Sequence, residues 1–95
     1  MKFVFENNNT EGKSWHADKA VAYFQCCGSN VEKPLNIKFS GRTTMKNTMK
    51  IVNSLKQKLE TIFAPDDEYP SIRIVYKSSL NCIVDEHIVW VEFQQ

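Results

Sequence analysis

The middle of the chain carries its strongest periodic pattern. The apolar residues there are spaced three or four positions apart, and they are Met45, Met49, Val52, Leu55, Leu59 and Ile62. At about 100° per residue these side chains share one side of a helix, and the polar Lys46, Lys50 and Gln57 fall on the opposite side. Pro65 then ends the pattern, because proline cannot continue the hydrogen-bond ladder. The spacing predicts a helix from about Thr44 to Phe63.

Alternating apolar and polar residues predict two strands before this helix. One runs from Lys2 to Glu6 and is followed by loop-forming residues at 7–12. The other runs from Leu35 to Ser40, where Leu35, Ile37 and Phe39 alternate with polar residues. This alternation is typical of a strand with one buried face and one solvated face.

The C-terminal third is rich in β-branched and aromatic residues. Ile72–Lys77 alternates as a strand, and Ser78–Asn81 can form a turn. Two further strand runs, Cys82–Val84 and Ile88–Phe93, are separated by the polar residues Asp85–His87, which we interpret as an interruption. Either a hairpin or a three-stranded meander satisfies this pattern, and antiparallel pairing of neighbours is the simplest topology.

The segment Trp15–Cys27 is open to two interpretations. Ser14 can cap a helix, Gly28 can end one, and apolar residues between them recur at helical spacing, which favours a helix. The competing interpretation is a strand through Val21–Cys26, since valine, tyrosine and phenylalanine there also favour strands. We adopt the helix as the prediction.

Together these elements predict an α+β fold with the order β-α-β-α-β-β. We expect a small two-layer sandwich in which two helices cover one face of a mainly antiparallel sheet. A chain of 95 residues buries about 60% of its unfolded surface, enough for one small core. We therefore expect residues 1–95 to form a single domain.

The cysteine content and the hydropathy predict a soluble, cytoplasmic protein. Cys26 and Cys27 are adjacent, a spacing poorly suited to an unstrained disulfide, and Cys82 has no obvious disulfide partner. This pattern favours free thiols in a reducing compartment. The first residues have too few apolar positions for a signal peptide. No apolar run approaches the about 20 residues that span a bilayer, so no membrane association is expected.

Basic and acidic residues are segregated along the chain. Lys33–Lys58 holds seven basic residues and no acid, whereas residues 59–95 hold seven acids and two basic residues. Lys38, Arg42, Lys46 and Lys50 are the candidate contacts for a polyanion or an acidic partner. Cations at a helix N-terminus oppose its dipole by about 0.3–1 kcal/mol each, so Lys46 is poorly placed for stability. The alternative is an ordinary solvated helix face.

The remaining polar residues do not match known patterns for metal binding or catalysis. Asp66–Glu68 lacks the alternating oxygen ligands and central glycine of a calcium loop. The cysteines, with His16 and His87, lack zinc-ligand spacing. A thiol enzyme built on Cys82, His87 and Asp85 is disfavoured, because residues five apart on a strand point to opposite sides. We expect cysteines buried as small hydrophobes and histidines at the surface or at helix ends, with no metal, cofactor or catalytic residue.

The terminal strand run is apolar on both of its faces. Such a strand is either central in the sheet or an edge that pairs with another chain. We assign Ile88, Trp90, Val91 and Phe93 as candidate contacts of an edge strand or of an oligomer. The alternative is that Trp90 packs in the core.

One segment resembles a known family. Residues Leu55–Asp66 with Ser71–Ile74 and Leu80 resemble the helix, Phe-Pro-Asp turn and strand pair of the DinI family, small proteins that modulate the RecA recombinase. The resemblance covers less than half of the chain. Ala64 interrupts the motif, and strand-forming residues stand where that family has an acidic C-terminal helix, so no functional residue is carried over.

The sequence thus predicts a small protein–protein interaction module, a regulator or inhibitor without catalysis. Its expected partner is another protein, with a homodimer as a variant of that hypothesis. The alternative is a nucleic-acid-binding domain that uses the basic strand and helix face. A thiol-dependent enzyme is the third and weakest hypothesis.

Overall fold

The computed structural model describes residues 1–6 and 13–93. The loop predicted at residues 7–12 lies outside the described residues. The elements within them are β1 (Lys2–Phe5), β2 (His16–Ala17), β3 (Lys19–Cys26), β4 (Ser29–Asn30), β5 (Leu35–Ile37), β6 (Gly41–Arg42), α1 (Met45–Ser54), α2 (Lys56–Ile62), β7 (Ser71–Lys77) and β8 (Ile83–Glu92).

The main sheet of the described residues has six strands, and every pairing in it is antiparallel. Its order is β1-β8-β7-β3, and both β4 and β5 pair with the remaining edge of β3. The short strands β2 and β6 form a separate antiparallel pair just before α1. A mainly antiparallel sheet with two helices confirms the α+β class.

The core lies against one face of this sheet, which we call the first face. Residues directly opposite each other on antiparallel strands point to the same side, so the pairing register defines its members. They include Ala20, Ala22 and Phe24 on β3, Ile72, Ile74 and Tyr76 on β7, and His87, Val89 and Val91 on β8. Most of these side chains form one buried cluster with Ile51, Val52, Leu59 and Phe63 from the helical segment.

The prediction of a helix over Trp15–Cys27 is wrong, and the predicted element order β-α-β-α-β-β is therefore also wrong. The segment contains β2 and the eight-residue strand β3, so the competing strand interpretation of Val21–Cys26 is confirmed. The helical spacing of its apolar residues is overridden by tertiary pairing, because β3 is hydrogen-bonded to β7 along nearly its whole length.

The long helix predicted from Thr44 to Phe63 exists as two helices. Thr44 caps α1, with its hydroxyl accepting a hydrogen bond from the Asn47 amide at 3.1 Å. The break is at Leu55, just after Ser54, whose hydroxyl donates to the Ile51 carbonyl at 2.6 Å. Serine hydroxyls that bond back to the preceding turn bend helices.

The interruption predicted at Asp85–His87 is absent, and β8 is continuous through these residues. The turn predicted at Ser78–Asn81 is confirmed by a hydrogen bond from the Asn81 amide to the Ser78 carbonyl, 2.9 Å long. The C-terminal third is therefore a single hairpin, and its polar residues face specific partners on both sides of the sheet.

Candidate functional site

The four basic candidates are all exposed. Arg42 ends β6, and Lys46 and Lys50 lie one turn apart on α1. The Arg42 carbonyl accepts a hydrogen bond from the side-chain amide of Asn47, which holds this arginine beside the first turn of the helix. Lys38 follows β5 and lines a shallow depression with Asp18.

These cations are not neutralised by the residues around them. Within residues 1–6 and 13–93, none of the ion pairs involves Lys38, Arg42, Lys46 or Lys50. The first turn of α1 contains no acidic residue, so Lys46 meets the positive end of the helix dipole without compensation. The surface remains positive where a helix ordinarily favours negative charge.

The strand assigned as an edge or oligomer contact lies inside the sheet. β8 has β7 on one side and, along Val89–Glu92, β1 on the other, so the edge-strand interpretation is wrong for this part of the strand. Val91 is 4% exposed and belongs to the core, and Phe93 packs partly buried against it. Ile88 and Trp90 alternate with these residues and lie, half-buried, on the other side of the sheet.

The other side of the sheet, which we call the second face, has an aromatic and apolar centre. Trp90 lies opposite Val4 of β1, and Ile88 lies opposite Arg73 of β7, which in turn lies opposite Tyr23 of β3. All five side chains are half-buried. They form a contiguous strip across four strands, and solvent reaches each of them.

Arg73 organises the middle of the second face. Its guanidinium carbon lies 4.7 Å from the centre of the Tyr23 ring, and its Nη1 donates to Glu86 Oε1 at 3.3 Å. Its Nε is buried without a hydrogen-bond partner among the described residues. The guanidinium plane is therefore held between an aromatic ring and a carboxylate, and one of its donors is unused.

A network of buried polar side chains crosses the first face. Thr48 Oγ1, on α1, lies 2.5 Å from the Tyr76 hydroxyl and 2.8 Å from His87 Nδ1. Asp85 Oδ2 accepts a hydrogen bond from the Thr43 hydroxyl at 2.6 Å and lies 3.4 Å from His87 Nε2, without hydrogen-bond alignment. The network joins the β7–β8 hairpin to the start of the helical segment.

The proton positions follow from the chemistry of these groups. The pKa of Tyr76 is raised to about 12, chiefly by burial; the Thr48 hydrogen bond opposes this shift and the Asp85 charge adds to it, so this tyrosine keeps its proton. We infer that the Tyr76 hydroxyl donates to Thr48, which donates to His87 Nδ1.

The order carboxylate, histidine and hydroxyl is that of hydrolase triads, but the hydroxyl is enclosed. Thr48 and Tyr76 are both 0% exposed, and His87 is 9% exposed. An attacking oxygen must reach a substrate atom, which this packing prevents. The network therefore fastens α1 to the sheet.

Sequence reasoning missed this network and placed His87 at the surface or at a helix end, whereas it is buried within β8. The usable signal was the spacing of Asp85 and His87, since residues two apart on a strand share a face. The cysteines also differ from the prediction of burial, because Cys27 and Cys82 are exposed and Cys26 is half-buried. In the part of the chain that the structure describes, no group of three or more His, Cys, Asp or Glu residues could hold a metal ion.

Comparisons with protein-family models, with curated proteins and with solved structures found no match. None of the helices in the described ranges is long and apolar enough to cross a membrane.

Proposed function

We propose that this protein is a binding domain without chemistry of its own, which regulates or inhibits a partner protein held on the second face of its sheet. In this proposal both helices cover the first face and leave the second face for the partner. The observation that carries it is the half-exposed strip of Val4, Trp90, Ile88, Arg73 and Tyr23.

The composition of this strip favours a protein partner. Tryptophan, tyrosine and arginine are the residues that contribute most to protein interfaces, near the centre of the contact. Here Trp90, Tyr23 and Arg73 lie on three adjacent strands, next to the buried Val21 and Val75, and charged residues lie toward the margin. A central aromatic group with a polar rim is the arrangement of a standard interface.

The charges of the second face also favour protein over nucleic acid. Glu86 contacts Arg73, and Glu92 lies opposite Lys2 on the neighbouring strand. Lys19 and Lys77 face each other at the other end. Cations and anions are thus interspersed, whereas a surface that binds phosphates is dominated by cations.

Two further observations support a non-catalytic role and a cytoplasmic location. The one carboxylate–histidine–hydroxyl arrangement of the described residues is enclosed in the core. The three cysteines are free thiols, which is the state expected in a reducing compartment. The cytoplasmic location remains a prediction from cysteine chemistry.

Photocrosslinking in cells tests the proposal. A benzophenone amino acid placed at Tyr23 should give a discrete adduct with one protein, because this position faces the bound partner. The matched control is the same amino acid at Tyr69, a loop residue that is 72% exposed. Random collisions would label Tyr69 at least as strongly as the half-buried Tyr23.

A second substitution, made in the protein that carries the crosslinker at Tyr23, distinguishes specific binding from random collision. Ile88→Glu should abolish the Tyr23 adduct, since a charge in the centre of the strip opposes burial against a partner. The partner is then identified by mass spectrometry and the complex is reconstituted from purified proteins. An adduct with a second copy of this chain would show that the partner is that copy and that the protein forms a homodimer. Equal labelling at Tyr23 and Tyr69, or no loss with Ile88→Glu, rejects the second face as the site.

The second candidate function is binding of nucleic acid by Lys38, Arg42, Lys46 and Lys50. The specific observation in its favour is that all four are exposed and lack ion-pair partners among the described residues. Each phosphate neutralised by such a cation releases counterions and adds salt-dependent affinity.

Fluorescence anisotropy with labelled single-stranded and duplex DNA at low salt measures this binding. If the basic surface binds, Lys46→Glu with Lys50→Glu should weaken affinity by more than about tenfold and reduce the salt slope by about two or more. The matched control is Lys56→Glu with Lys58→Glu, which makes the same charge change at exposed positions of α2. Equal losses in both pairs indicate net charge alone, and absence of wild-type binding removes the hypothesis.

A further inference from the structure

The turn between β3 and β4 places two thiols side by side. Cys26 pairs with Ser29 across the hairpin, so Cys27 and Gly28 are the two central residues of the turn. Both have positive φ, 56° and 80°, the pattern of a type I′ turn. The first central position favours asparagine, aspartate or glycine, and a left-handed conformation costs other residues about 1–2 kcal/mol. A cysteine is present there in spite of that cost.

Both sulfurs point to the same residue of the α2–β7 loop. Cys26 Sγ and Cys27 Sγ donate to the Glu68 carbonyl at 2.9 and 3.2 Å, and the two sulfurs are 4.0 Å apart. Cys27 Sγ also lies 3.7 Å from Glu68 Oε2. Cys27 is exposed and Cys26 half-buried, so the pair can be reached from solvent.

The geometry of the pair disfavours a disulfide and places both sulfurs within reach of one d¹⁰ metal ion. Two sulfurs about 2.3 Å from one ion are about 3.8 Å apart at a tetrahedral angle and about 4.6 Å apart when collinear. The observed 4.0 Å is close to the tetrahedral value, and linear two-coordinate binding needs the sulfurs to move apart by about 0.6 Å through rotation of the side chains at this solvent-accessible turn. In contrast, adjacent Cα atoms are about 3.8 Å apart, below the about 4.4 Å at which unstrained disulfides begin.

We propose that Cys26 and Cys27 form a two-sulfur binding site for a monovalent soft metal ion, Cu(I). Thiolates are the ligands that Cu(I) prefers. A structural zinc site requires four ligands, and among the described residues no cluster of three or more suitable side chains surrounds these thiols. Cu(I), in contrast, is stable with two sulfurs. One ion replaces two thiol protons and gives a copper dithiolate, with no change in oxidation state.

Competition titrations on the purified, reduced full chain test the site. Cu(I) is supplied from a chromophoric chelator such as bicinchoninate, and Ag(I) serves as a redox-stable analogue. The wild type should take one equivalent. Cys26→Ser and Cys27→Ser should each weaken binding by about 100-fold or more, because two linked ligands act together. Cys82→Ser is the matched control, since Cys82 is also an exposed free thiol, and it should leave the affinity unchanged.

Two outcomes overturn the proposal. If Cys26→Ser and Cys27→Ser bind as tightly as the wild type, or if Cys82→Ser loses as much as they do, the adjacent pair is not the site. X-ray absorption of the Cu(I)-loaded wild type provides a test that needs no variant. Two sulfur neighbours support the site, and a single sulfur or a shell of nitrogen and oxygen rejects it.

Discussion

Replacing Thr48 with valine should lower the free energy of unfolding by about 2–4 kcal/mol, because each buried polar group that loses its partner costs about 1–3 kcal/mol. The variant keeps the shape of the side chain but removes the hydroxyl that bonds both the Tyr76 hydroxyl and His87 Nδ1. Domains of this size are stable by only about 5–15 kcal/mol, so the loss is a large fraction of the total. Urea denaturation followed by circular dichroism measures it.

A double variant and a surface control make this result specific. Thr48→Val with Tyr76→Phe should be more stable than Thr48→Val alone, since the tyrosine hydroxyl no longer lies unpaired in the core. Thr61→Val is the matched control, because the Thr61 hydroxyl bonds only the Lys58 carbonyl on the exposed side of α2, and we expect a change within about 0.5 kcal/mol. If Tyr76→Phe destabilises the Thr48→Val variant as much as it destabilises the wild type, the two hydroxyls are not coupled.

The other large effect is expected at Phe24, which is 0% exposed on the first face. Phe24→Ala should lower the free energy of unfolding by about 3–5 kcal/mol, through lost burial and the cavity it leaves. The same denaturation experiment measures it, and the milder Phe24→Leu retains a folded protein if the alanine variant does not fold.

The neighbouring residue supplies the control. Tyr23 is half-buried on the second face, and Tyr23→Ala removes its stacking on Arg73, so we expect a loss of about 1 kcal/mol or slightly more. Such a difference between adjacent aromatic residues is characteristic of a strand, in which successive side chains face opposite sides. Equal losses at the two positions would contradict the arrangement of β3.

The sequence predicted the elements whose periodicity is long or unambiguous. Six apolar residues over about five turns identified the helical segment and its end before Pro65, and alternation identified β1, β5 and β7. It did not identify the break at Leu55, which depends on one hydroxyl bonding back to the helix. It misassigned β3, because alanine, valine and phenylalanine there satisfy both periods and only pairing with β7 decides between them.

The candidate sites were predictable in part. Exposure of Lys38, Arg42, Lys46 and Lys50 follows from the side of the helix and strand on which they lie. Ile88, Trp90, Val91 and Phe93 were assigned to one contact, although a one-residue step moves a side chain to the opposite face and Val91 is buried in the core. The thiol pair of Cys26 and Cys27 depends on a turn and on Glu68, which is far away in the sequence.

By itself the sequence determined the α+β class, the helical segment and the polarised charge, because these depend on local spacing along the chain. Only the tertiary structure decided which side of each strand is covered, and it did so through the pairing register of β3, β7 and β8. That register directs His87 into a buried network and Trp90 onto the second face. The physical reason is that burial is a property of the assembled sheet, and a residue acquires it only from partners that are distant in the sequence.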